Sequence, residues 1–337
     1  MGNQSSEPVL DYVDPVHVAR DLEIGAVGMQ GRRTTMEDYH VAVVLPSRPD
    51  HVLVGVFDGH GGKAMAEYVQ QNLVRVLEST DSWVEGLSIV DALTDAFFQL
   101  DSEACENMLS MSNPGMTPGT TAIVAIVTPD QIVCANAGDS RACLLTKGGD
   151  IVPLSTDHKP NLDRERARIE AAGGCVIQNR VDGKLALSRA LGDYEYKADP
   201  TLYPTQQKVS PEPDITIWPR EDAAVLLLAS DGVWDVFTNE LAMDTIRLLI
   251  VDEGESNAQL LAEEVVHLSI VERSSKDNAT ALIVRFPNTL VASENGQGVL
   301  GRRTLRDAVQ AGAVQADAAQ ADAAQADAAQ ADVLLDR

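Results

Sequence analysis

Five short apolar runs constrain this chain most: "HVLVGVF" (51–57), "TAIVAIV" (121–127), "QIVCA" (131–135), "AAVLLLA" (223–229) and "ATALIVRF" (279–286). Each is rich in β-branched residues and reads as a strand. Several are apolar at every position, so both faces of the strand need cover. Helical periodicity fills the spaces between them. The spacing predicts a helix over 63–78, with Met65, Tyr68, Val69, Leu73 and Val76 on one side. It predicts others over 91–107, 162–172 (stopped by Gly173 and Gly174), 239–251 and 257–272. Strands needing two-sided cover, mixed with amphipathic helices, imply a layered α+β domain.

The 337 residues allow one large domain or two small ones. Residues 1–20 read as an N-terminal arm containing Pro8 and Pro15, and 21–290 hold the dense apolar content. After "ENGQG" (294–298) the character changes, so 291–337 read as a tail. It contains the five-residue repeat "QADAAQADAAQADAAQAD" (315–332). At about 100° per residue, successive Asp side chains would spiral around a helix and leave no apolar stripe. The tail is therefore expected to be a solvated helix or disordered.

With 26 Lys and Arg against 51 Asp and Glu, the net charge is −25. Such a chain repels nucleic acid and anionic lipid. It repels phosphorylated substrates as well, unless cations offset the field locally. No apolar run approaches the roughly 20 residues needed to span a bilayer. No secretory signal is expected, and a monomer is. Cys105, Cys134, Cys143 and Cys175 form no C-x-x-C pair. Free thiols in a reducing, cytoplasmic setting are expected.

Carboxylates stand at the ends of the strands. "VLVGVF" runs into Asp58, "AAVLLLAS" into Asp231, and Asp277 precedes "ATALIV". Asp139 lies between "IVCANAG" and "RACLLT", at the expected tip of a hairpin that would set Cys134 opposite Cys143. A single Asp at such a place is ordinarily a turn former. Four on neighbouring strand ends can converge, and converging carboxylates repel unless a cation sits between them. Hard oxygen ligands suit Mg²⁺ or Mn²⁺. In "VGVFDGHGGKA" (54–64), Gly59 lets a backbone carbonyl approach an ion. The same stretch fails as a Walker loop, because Phe57 stands where the first glycine belongs and Ala64 replaces the hydroxyl. It fails as a dinucleotide fingerprint because Ala64 replaces the last glycine.

The motifs "RTTMEDYH", "VFDGHGG", "GTTAIV", "ANAGDSRA", "DHKP", "ALSRALGD", "VSPEPD", "LLLASDGVWD" and "SKDNATALIV" occur in this order. Together they resemble the metal-dependent serine/threonine protein phosphatases of type 2C, over about 21–288. The resemblance implies a central antiparallel β-sandwich flanked by α-helices on both faces. It implies hydrolysis of phosphoserine and phosphothreonine in proteins, by a water or hydroxide bridging two Mg²⁺ or Mn²⁺ ions. On it, Asp58 bridges the two ions, the Gly59 carbonyl binds the first, and Asp231 and Asp277 bind the second. Glu37 and Asp38 act directly or through water. Asp139 would share a third, weaker ion with Asp231, supported by Asp235. Arg33 would hold the phosphate and His60 would be the general acid. A non-catalytic binding or scaffold protein on the same fold is the alternative, and the complete acid set favours the enzyme.

The chain starts "MGNQSS", which fits the M-G-x-x-x-S pattern for myristoylation of Gly2. One acyl chain gives only reversible membrane association. Label from a myristate analogue should enter the protein in cells and be lost in Gly2→Ala. Equal labelling of the two would refute the assignment.

Overall fold

A computed structural model of the chain describes residues 21–108, 118–286, 289–290 and 296–306. The arm with Gly2 and the QADAA repeat lie outside the described residues. In chain order the first elements are β1 (Glu23–Met29), β2 (Asp38–Val44), β3 (Val52–His60), α1 (Ala64–Ser79), α2 (Asp81–Val84) and α3 (Ile89–Met108). Next come β4 (Gly119–Thr120), β5 (Ala122–Val127), β6 (Gln131–Ala137), β7 (Arg141–Thr146), β8 (Ile151–Pro153), α4 (Asp163–Ala171), β9 (Val176–Ile177), β10 (Arg180–Val181) and β11 (Leu191–Gly192). The last are β12 (Asp214–Pro219), β13 (Ala223–Ala229), α5 (Asp231–Trp234), α6 (Asn239–Val251), α7 (Ala258–His267) and β14 (Ala279–Arg285).

Two antiparallel sheets carry the architecture. One has the order β1-β14-β13-β7-β8. The other runs β11-β4-β3-β5-β6-β12, with β2 paired to β3. Alternation along β3 shows why the runs had to be apolar throughout. Val52, Val54 and Val56 face the inter-sheet core, beside Ile123, Ala125, Leu226, Leu228 and Leu282. Leu53 and Phe57 face the other way, into a second core with Leu73, Leu77, Leu93 and Phe97 of α1 and α3. On the outer face of the first sheet, α7 lies against β1. A Cβ on Gly25 would come within 2.2 Å of the Gln259 backbone nitrogen. The Gln259 side chain accepts the Ala26 N–H at 3.0 Å. The result is the expected α+β sandwich of helix, sheet, sheet and helix.

One connection differs from expectation. β6 and β7 do not form a hairpin: β6 pairs with β5 and β12, whereas β7 pairs with β13 and β8. The chain crosses from one sheet to the other at Gly138–Ser140. Gly138 has φ +127°, and a Cβ there would meet the Thr121 side chain at 2.6 Å. Cys134 therefore stands beside Ala125 and Thr216, and Cys143 beside Leu227 and Pro153. They do not face each other. Burial pushes both thiols up to about 12, so neither is a reactive thiolate.

The described residues divide into two compact units. The larger holds the sandwich and takes in the described residues of 21–247 and 257–290. The smaller combines 248–256 with 296–306. Within it, 298–306 are helical, and the Val299 N–H donates to Glu255 Oε2 at 3.1 Å.

Candidate metal centre and active site

The acids meet where strands of both sheets end. β2 pairs with β3 so that Asp38 lies directly opposite Asp58. Asp231 opens α5 two residues after the end of β13, and Asp277 lies two residues before the start of β14. These last two segments touch because residue 232 is glycine: a Cβ there would lie 1.8 Å from the Asn278 carbonyl oxygen. Gly59 is required for a similar reason. Its Cβ would meet the Glu37 carbonyl oxygen at 2.5 Å. The crossover between sheets brings Asp139 to the same place, with Thr121 Oγ1 accepting the Asp58 N–H at 3.0 Å and sitting 2.6 Å from Ser140 Oγ.

The electrostatics report this convergence. Asp58 is pushed well above the usual carboxylate range, first by burial and then by Asp231, Asp38, Asp139 and Asp277. Asp231 is raised likewise, first by burial and then by Asp139, Asp277, Asp235 and Asp38. Burial lifts Asp38 to about 6, although Ser230 donates to its Oδ2 at 2.7 Å. Burial also raises Asp277 and Asp235. Asp235 ends α5 one turn after Asp231 and is the exposed member.

Two cations already lean on the group. Arg33 donates to Asp277 Oδ2. Lys159, from the "DHKP" motif, donates to Asp139 Oδ2, while Asp139 Oδ1 is buried without a partner. These are the marks of a donor set that needs positive charge. Among the described residues, no three or more His, Cys, Asp or Glu side chains are drawn close enough together to hold a metal ion by themselves. An open acidic cleft of this kind fits a hard ion that keeps much of its water, as Mg²⁺ does, better than a fully dehydrated site.

The flanking residues are tied to the same loops. Glu37 accepts from Thr35 Oγ1 at 2.9 Å and from the Gly62 N–H at 3.2 Å. Asn278 accepts the Glu37 N–H at 2.9 Å and donates to the carbonyls of Gln30 and Thr35. It thereby fixes the loop that carries Arg33. His60 Nε2 lies 2.7 Å from Asp193 Oδ2. Burial opposes the charged imidazole, but Asp193, then Asp139 and Glu37, raise its pKa above the ordinary value.

The structure thus brings together Asp58, Gly59, Asp231, Asp277, Glu37, Asp38, Asp139, Asp235, Arg33 and His60. Sequence reasoning missed Asp193, Asn278, Lys159 and Gly119. All four stand inside motifs already singled out, and their partners are too distant in the chain to be read. Gly119 makes room for the His60–Asp193 pair. A Cβ there would lie 2.3 Å from Asp193 Oδ2 and 2.4 Å from His60 Nε2. Arg189 of "ALSRALGD" is elsewhere, fully buried against Glu165 at 2.8 Å and Asp214 at 2.9 Å. It locks the segment between β8 and β12.

Raised carboxylates make the metal-free protein less stable as pH rises. The folded state keeps a proton on Asp38 up to about pH 6, whereas the unfolded chain releases it near the ordinary value of about 3.9. Its stabilisation is present below that value and fades as pH climbs through about 6. The melting temperature of EDTA-treated protein should therefore fall between about pH 4 and 7, and less steeply in Asp38→Asn. Identical slopes in parent and variant would refute this contribution.

Comparison with known proteins shows the family. The model of the protein phosphatase 2C family matches residues 22–279. Protein phosphatase 2C homolog 2 of Schizosaccharomyces pombe is 39% identical over 298 residues, spanning 85% of this chain and 79% of that protein. Protein phosphatase 1B of Homo sapiens is 35% identical over 310 residues, spanning 87% and 63%. A phosphatase from Toxoplasma gondii, solved by crystallography, superposes with a TM-score of 0.69 at 26% identity, covering 81% of this chain and 97% of that one. A Caenorhabditis elegans sex-determining protein shares the fold, with a TM-score of 0.70 at 24% identity over 80% of this chain and 66% of that one. The chain belongs to the protein phosphatase 2C family, the metal-dependent serine/threonine protein phosphatases.

Proposed function

We propose that this chain hydrolyses phosphoserine and phosphothreonine in proteins at the acidic cleft, with two Mg²⁺ or Mn²⁺ ions held chiefly by Asp58. The observation that carries this reading is the convergence of Asp38, Asp139 and Asp277 on Asp58 and Asp231, which with burial raises both carboxyls and leaves a group that cannot fully ionise without added cations. The Gly59 carbonyl, Asp231 and Asp277 would complete the ligands, and Glu37 and Asp38 would act directly or through ordered water. Asp139, with Asp231 and Asp235, would hold a third, weaker ion, for which Lys159 now supplies the charge. When bound, the ions would lower the pKa of an attacking water and offset the phosphate charge.

The remaining steps belong to the protein. Arg33 stands exposed at the lip of the cleft, beside Asp277. Its planar fork can hold two phosphate oxygens, which a lysine does less specifically. The alkoxide of serine or threonine is a poor leaving group and needs a proton. Asp193 holds His60 at Nε2, so the transferable proton of the imidazolium is on Nδ1. The raised pKa keeps that proton available near neutrality.

Hydrolysis of a phosphoserine peptide should require Mn²⁺ or Mg²⁺, stop with EDTA and be lost in Asp231→Asn. His60→Ala should keep its metal and lose about 10²- to 10⁴-fold on the peptide, with little loss on 4-nitrophenyl phosphate. A folded, metal-loaded protein without turnover would refute the enzyme. Equal losses on both substrates would refute the general acid.

A further inference from the structure

Asp193 reaches His60 across a three-strand corner. His60 of β3 pairs with Gly119 of β4, and Gly119 pairs with Gly192 of β11. The next residue, Asp193, extends back over the bare Cα of Gly119. To do so the chain takes left-handed φ values of +85° at Gly192 and +54° at Asp193. A non-glycine residue in that region needs support from its surroundings.

That support comes from α3. The Oδ1 of Asp101 accepts both the Gly192 N–H and the Lys197 ammonium, each at 2.7 Å. Lys197 also donates to the Ala190 carbonyl at 2.9 Å. The Tyr194 hydroxyl donates to the Asp101 carbonyl at 2.7 Å. Residues 192–197 are therefore tied at both ends to one residue of α3. The ion pair also lines a cavity of roughly 630 Å³ with Phe98, Cys105 and Tyr203. A buried ion pair is a weak source of stability, since desolvation offsets the attraction. What it provides here is geometry.

We propose that Asp101 and Lys197 are positioning residues for the phosphatase reaction: they hold Gly192 and Asp193 so that the Asp193 carboxylate fixes the His60 ring for proton donation to the leaving oxygen. This rests on the general-acid reading of His60. The signature is selective. A serine alkoxide needs the donated proton, whereas 4-nitrophenolate departs as the anion, so a misplaced His60 slows only the first.

The test uses the full chain with Mn²⁺, a phosphoserine peptide and 4-nitrophenyl phosphate. Asp101→Ala and Lys197→Met should each lose about 10- to 100-fold in kcat on the peptide, with KM and aryl phosphate turnover nearly unchanged. In a His60→Ala background the same substitutions should cost nothing further. Asp101→Asn keeps an oxygen for the Gly192 N–H and should recover part of the loss. Equal losses on both substrates, an undiminished loss in the His60→Ala background, or parental peptide turnover in the folded variants would overturn the proposal. If His60→Ala itself shows no substrate preference, the general-acid reading fails and the proposal fails with it. Should Asp101→Ala not fold, Lys197→Met and Asp101→Asn carry the same comparison.

Discussion

Asp58, Asp231, Asp38 and Asp139 approach one another at the floor of an acidic cleft, with Asp38 and Asp139 buried and Asp58 and Asp231 half-buried. Like charges so placed cannot all ionise without added cations. Much of the architecture follows from making that placement possible. Two sheets end together, so that carboxylates from β2, β3, the β6–β7 crossover and the turns beside β13 and β14 can meet. Two glycines, 59 and 232, let the backbones close in. Asn278 and Ser230 then hold the loops through neutral hydrogen bonds, adding no further negative charge.

Much of the fold was legible because two-sided burial leaves an unmistakable apolar run. The predicted strands at 51–57, 121–127, 131–135, 223–229 and 279–286 correspond to β3, β5, β6, β13 and β14 within a few residues. β1 escaped notice because "EIGAVGM" carries two glycines, which weaken a strand signal. Gly25 is there for the close approach of α7, and a Cβ on Gly28 would meet the Met36 side chain at 2.7 Å. The false hairpin at Gly138–Asp139 has a simple cause. A strand, a turn glycine and another strand look alike whether the second pairs with the first or crosses to a facing sheet.

The site was legible to the same extent. Carboxylates at strand ends can be read from the chain, because each is local to its strand. The His60–Asp193 contact spans 133 positions and depends on a missing side chain at Gly119 and on a left-handed turn. No periodicity announces such a contact. The cations show the same limit. Lys159 and Arg33 sit on Asp139 and Asp277, and nothing in the spacing of the sequence pairs them.

The central claim is that the strand-end carboxylates are a divalent-ion site strained by its own charge. Calorimetric titration of Mn²⁺ near pH 6, repeated in buffers of different ionisation enthalpy, counts the protons released on binding. Because Asp38 sits at about 6 and Asp58 and Asp231 are also raised, binding should expel protons at pH 6. The release should diminish in Asp38→Asn and as the pH rises. Mn²⁺ binding without proton release, or no binding to the folded protein, would contradict it.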